Sequence, residues 1–122
     1  MVSSTQTGAD ILRPLAERGD ERFSALRKPR MVWRHRGLGL MPFVSETEWM
    51  VDDSLGAIVR CAAACNAHVD YLGDKYTTDG VWVCILLVRP DQEDGDEAEY
   101  VEDGSTPEEA AARALVAAVE AL

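Results

Sequence analysis

The sequence predicts an α+β domain: an antiparallel sheet of three to four strands in α-β-β-β-α order, preceded by a helical segment. Three stretches carry that expectation. The tail "STPEEAAARALVAAVEAL" has the start signals and apolar spacing of one amphipathic helix. "VWVCILLV", Val81 to Val88, is a short unbroken apolar run rich in β-branched residues, the pattern of a strand buried on both faces. Between Val51 and Asn66, "VDDSLGAIVRCAAACN" repeats apolar residues at helical spacing. The 122 residues suffice for one domain with a real core.

In chain order, residues 1–8 are small and polar and are expected to be a disordered end. In "ADILRPLAERGDERFSAL", Leu12, Ala16, Phe23 and Leu26 share a helical face, with Gly19 on the same line. Pro14 fits only a first turn, and Arg18-Gly19-Asp20 reads as a stop and restart. Two short helices, or one interrupted helix, are expected over 10–27. From Arg30 to Arg36 side chains alternate: Met31, Trp33 and His35 on one face; Arg30, Val32, Arg34 and Arg36 on the other. That is a strand with one basic face. Gly37, Gly39 and Pro42 make "GLGLMPF" a loop or an irregular edge.

The next helix has Asp52 or Asp53 as its cap and Leu55, Ile58, Val59 and Ala62 as its buried stripe. Strands follow at "HVDYL", continuing across Gly73 into "KYTT"; at "VWVCILLV"; and at "AEYVED", which is charged and so expected at an edge. Asp79-Gly80 is a hairpin signal, because such a turn needs positive φ at both central residues. In the tail, Thr106 is the N-cap, Pro107 sits at N1, and Glu109 at N3 closes a capping box back to Thr106. Ala111, Leu115, Ala118 and Leu122 form its inner stripe, and Glu109 pairs with Arg113 on the outside.

The chain thus divides into a disordered 1–8, a basic segment 9–44 packing on the domain, and an acidic domain over 45–122. Residues 1–40 hold eight Lys and Arg against four acids; residues 41–122 hold four against eighteen. Ten of those acids fall between Asp91 and Glu109. Such a field repels nucleic acid and attracts basic surfaces; the plainer alternative is that it keeps a small domain soluble. The run 81–88 needs cover on both faces. Helices over 53–66 and 107–121 cover one, and 10–27 would cover the other, giving an α/β/α sandwich. Failing that, a second subunit would cover it and the protein would be a homodimer. The longest apolar run is too short to span a bilayer, and the N-terminus lacks the pattern of a signal peptide. Three cysteines are too few for a disulfide scaffold. A soluble cytoplasmic chain without a membrane partner is expected.

Cys61, Cys65, His68 and Cys84 are four zinc-type ligands, but Cys61 and Cys65 lie mid-helix in an alanine run. Buried reduced thiols are expected there, and no metal. In "DQEDGDE" Gly95 is fifth from Asp91, so the EF-hand register fails. His35 and His68 are the only histidines, and no nucleophile elbow, zinc-protease or phosphate-loop motif occurs. No enzymatic activity, catalytic residue or cofactor is expected. Arg27, Lys28, Arg30, Arg34 and Arg36 beside Trp33 form a basic patch that mixes cations with an aromatic, as nucleic-acid binders do. The alternative is that Trp33 packs in the core while the arginines pair with the protein's own acids.

The element order and tail resemble the double-stranded RNA-binding domain. In that family the helix start carries lysines that bridge phosphates. Here Ser105, Thr106, Pro107, Glu108 and Glu109 stand at those positions, and carboxylates would face the phosphates. RNA binding by that surface is rejected. The turn Gly104-Ser105-Thr106 before "EEA" and an apolar helix is similar to the end of HicB-type antitoxins over the last third of the chain, with "EDGDEAEY" as an acidic insertion. Across 46–122, "ETEWMVDDS" and "STPEEAAARAL" resemble small phage proteins of the ABA-sandwich type. That resemblance implies a phage or mobile-element origin and a host-cell cytoplasm. The function expected is a non-catalytic acidic protein-binding module. It would inhibit a host nucleic-acid-binding protein, in the manner of an anti-CRISPR protein, by occupying its basic surface through Asp91, Glu93, Asp94, Asp96, Glu97, Glu99, Glu108 and Glu109. The alternatives are an antitoxin-like module neutralising a small basic toxin, and a nucleic-acid binder acting through the basic arm.

Overall fold

The computed structural model describes residues 7–74, 80–89 and 95–121. The first helix, α1 (Gly8–Ala16), begins inside the stretch expected to be disordered. Thr7 fixes its start: its Oγ1 accepts from the Asp10 N–H at 3.2 Å, and the Asp10 carboxylate accepts from the Thr7 N–H at 3.5 Å. That reciprocal box satisfies two donors that would otherwise lack partners. Pro14 lies in the last turn, not the first. The bond it cannot donate would have gone to Asp10, near an exposed helix end, so the helix survives. Gly19, at φ 72°, turns the chain into a short 3-10 helix, Glu21–Leu26. Leu12, Ala16, Phe23 and Leu26 are all buried, as their spacing predicts.

Strands β1 (Arg27–Arg36) and β2 (Gly39–Val51) form a two-stranded antiparallel ribbon. "GLGLMPF" is therefore the turn and first half of a strand, not a loop. Gly37 takes φ 64° at the first position of a two-residue turn, where a left-handed residue matches strand twist. Pro42 stands in an edge strand, which tolerates a missing N–H. The boundary expected between 44 and 45 falls inside β2.

Helix α2 (Leu55–Ala64) is capped by Ser54, whose Oγ accepts from the Ala57 N–H at 3.2 Å. Asp52 and Asp53 are not the cap; the Asp52 carboxylate accepts from the Ser54 N–H at 3.1 Å. The buried stripe is Ala57, Ile58, Cys61 and Ala62, with Leu55 half-buried and Val59 turned outward. Strands β3 (Ala67–Asp74), β4 (Trp82–Val88) and β5 (Ala98–Gly104) make an antiparallel meander with β4 central, so β5 is an edge strand. Gly80 has φ 77°, while Asp79 and "KYTT" lie outside the described residues.

Helix α3 (Pro107–Glu120) packs on β4 and β5, and α2 packs on β3. Thr106 caps α3 through the Glu109 N–H at 3.1 Å. Ala111, Leu115 and Ala118 face the core as expected; Leu122 lies outside the described residues. Gly104 is where β5 meets this helix: a Cβ there would come within 2.8 Å of the Ala110 nitrogen. The segment 10–27 does not reach the sheet's other face. Instead α1 packs on α3 and the 3-10 helix on α2. The molecule is α+β with helices on one sheet face, and the α/β/α sandwich does not form. β4 accordingly alternates: Cys84, Leu86 and Val88 are buried, while Val83, Ile85 and Leu87 are half-buried on the outer face.

Candidate functional site: the exposed ribbon

The ribbon 27–51 is the least covered part of the described structure. Its register sets Met31 opposite Val44, Trp33 opposite Pro42 and His35 opposite Leu40, so these six share one face. Met31 is 51% exposed, Trp33 65%, Leu40 57% and Val44 60%. Val32, Phe43, Arg34, Met41 and Arg36 form the reverse face. Leu38 stands fully exposed at the tip. A lone two-stranded hairpin is marginal in water. This one is held at its root, where the Asp52 N–H donates to the Leu26 carbonyl at 2.6 Å and the Arg27 guanidinium lies 5.7 Å from the Trp49 ring centre. Between Pro29 and Met31 the partner register jumps from Trp49 to Val44. Ser45 organises the extra residues, its Oγ accepting from the N–H groups of Thr47 and Glu48 at 3.3 and 2.8 Å. A cleft of about 300 Å³ lies beside this root, lined by Arg27, Lys28, Glu48 and Trp49 among others.

The basic patch expected from sequence maps onto this ribbon. Arg27 is half-buried at the root; Lys28, Arg30, Arg34 and Arg36 are exposed along it. Trp33 is not a core residue, and among the described residues Arg30, Arg34 and Arg36 make no ion pair. The alternative that placed Trp33 in the core and the arginines against the protein's own acids is overturned. A two-stranded ribbon has no second layer of its own to bury an aromatic against.

Among the described residues, the expected acidic surface falls into two groups. Asp91, Glu93 and Asp94 lie outside the described residues. Asp96, Glu97 and Glu99 are exposed where β5 begins, whereas Glu108 and Glu109 lie beyond its other end. The strand separates the two groups by about 20 Å. Glu108 is half-buried and Glu109 is buried. Glu109 does not return to Thr106 as a capping box would. Its Oε2 accepts from Ser105 Oγ at 2.6 Å and from the Ser105 N–H at 3.1 Å, and its Oε1 meets Arg113 at 2.7 Å. Arg113 in turn donates to the Asp103 carbonyl at 3.0 Å. The Ser105 hydroxyl bond, helped by the Ser105 N–H and the Arg113 cation, holds the Glu109 carboxyl below its ordinary pKa against the opposing effect of burial. The group staples the end of β5 to the first turns of α3, with the Glu109 carboxylate buried between its partners.

Cys61, Cys65 and Cys84 are buried free thiols. Burial pushes Cys61 and Cys84 up to about 11. His68 points to solvent beside Leu87, and among the described residues no group of three or more His, Cys, Asp or Glu is placed to hold a metal ion. A hollow of about 490 Å³ forms where the starts of α1, α2 and α3 meet, yet its hydroxyls on Thr7, Ser54 and Thr106 already cap their own helices. No described helix is long and apolar enough to cross a membrane. No protein-family model, curated protein or solved structure matches the chain.

Proposed function

We propose that the protein is a non-catalytic protein-binding module whose contact element is the ribbon 27–51. The observation that carries this reading is the exposed apolar face of Met31, Trp33, Leu40 and Val44 on a hairpin that its own domain leaves bare. A large aromatic anchor flanked by arginines is the composition of interface hot spots. A protein partner fits better than nucleic acid, because the apolar face outweighs three exposed arginines and the rest of the chain is strongly acidic. A second reading, occupation of a partner's basic surface, is favoured by the exposed Asp96, Glu97 and Glu99 at the start of β5. Affinity capture of partners from a lysate, repeated with two variants, separates them. Trp33→Ser with Leu40→Ser should abolish capture while Glu97→Lys with Glu99→Lys retains it. Loss with the charge reversal alone would replace the first reading by the second.

A further inference from the structure

Among the described residues two apolar surfaces stand exposed, and their dimensions match. The first is the ribbon face of three cross-strand rows: Met31–Val44, Trp33–Pro42 and His35–Leu40. The second is the outer face of the meander, also three rows: His68–Leu87–Glu99, Tyr71–Ile85–Val101 and Gly73–Val83–Asp103. Each set spans about 13 Å along the strands. Tyr71 and Val101 are 39% and 53% exposed, and Ile85 between them is half-buried. The segments that carry them are oppositely charged. Residues 27–44 carry five Lys and Arg and no acid, whereas residues 45–122 carry eighteen acids against four bases. Glu99 and Asp70 are exposed along the two edges of the outer face. Arg34 and Arg36 lie on the ribbon's reverse face, but a ribbon one layer thick keeps them within about a Debye length, roughly 10 Å, of a sheet it covers.

A chain cannot make this contact with itself. The ribbon is rooted on the helical side, with β1 against the 3-10 helix and β2 against α1, and the outer sheet face is the one that the described helices leave uncovered. We propose that a second copy of this chain supplies the cover: each ribbon lies apolar face down on the outer face of the partner's β3-β4-β5 sheet, and a two-fold axis makes the exchange reciprocal. The arrangement buries both faces together and gives β4 the second apolar layer that its unbroken run of Val81 to Val88 calls for. It rests on the reading of the ribbon as a protein-binding element and names the partner.

The experiment uses the full chain and its variants in sedimentation equilibrium. The wild type should be a dimer that dissociates on dilution and more readily at high salt. Trp33→Ser with Leu40→Ser, which alters the ribbon alone, should be monomeric. Val101→Lys, which places a cation on the outer face beside Glu99, should also be monomeric; Val101→Ser serves if the lysine variant loses its circular dichroism signal. An equimolar mixture of the ribbon variant and the face variant should regain a heterodimer, because one intact ribbon still meets one intact face. A monomeric wild type overturns the proposal. So does a face variant that stays dimeric, which would put ribbon on ribbon. A monomeric wild type whose lysate capture still depends on Trp33 and Leu40 overturns this dimer and leaves the binding role standing. Capture indifferent to those residues removes the binding role itself.

Discussion

Replacing Glu109 by alanine tests the reading of this residue as an internal staple. The substitution removes two hydrogen bonds from Ser105, at 2.6 and 3.1 Å, and the 2.7 Å pair with Arg113. A hydrogen bond to a charged group contributes about 1.5–3 kcal/mol net. Ser105 is exposed and Arg113 half-exposed, so both regain water and the total falls to about 2–3 kcal/mol. For 122 residues each kcal/mol corresponds to about 4 °C in Tm, so calorimetry at pH 7 should show a loss of about 8–12 °C. Arg113→Met, which spares the Ser105 bonds, should cost only about 0.5–1 kcal/mol. The pH dependence has a fixed sign. The folded pKa of Glu109 lies below its unfolded value, so this stabilisation is complete above the unfolded value of about 4.3 and is lost as pH falls through the folded value. The gap between wild type and Glu109→Ala should therefore narrow in acid. An unchanged Tm at pH 7, or a gap that widens below pH 4, would refute the staple.

Two other outcomes follow from the packing. Gly104→Ala should lower stability by about 1–3 kcal/mol in urea unfolding, because the new Cβ meets helix backbone at 2.8 Å and backbone yields little. The thiols of Cys61, Cys65 and Cys84 should resist a thiol reagent at pH 8 and react once denaturant is added, since burial raises all three and hides the sulfurs. Rapid labelling of the native protein would contradict the buried placement.

Much of the fold was legible because local chemistry and burial agree. Thr106, Pro107 and the alanine stripe specify α3 from sequence alone, and Leu12, Ala16, Phe23 and Leu26 mark a single buried line across two helical pieces. The capping details shifted by one residue where several oxygens compete, as with Ser54 beside Asp52 and Asp53. The ribbon was only half legible. Alternation from Met31 to His35 gave its first strand and correct faces, but Gly39 and Pro42 disguised the second, because they break an inner strand yet are tolerated in one that pairs on a single side. The same alternation continues through Leu40, Pro42 and Val44, and that was the signal for the candidate site. The cover expected from 10–27 for the outer face of β4 failed for a different reason: an unbroken apolar run reports that both faces seek cover, and it does not say whether the cover comes from the same chain.

Photo-crosslinking from position 33 tests most directly whether the ribbon face is a contact surface. A benzoylphenylalanine in place of Trp33 reacts with whatever lies on that face in the cell, and a control at exposed Glu17, just past the end of α1, reports collisions. The expected result is a discrete protein adduct from position 33 and none from position 17, with peptides of β4 or β5 of a second copy in the adduct if the dimer forms. Equal, diffuse labelling from both positions would contradict a ribbon built for binding.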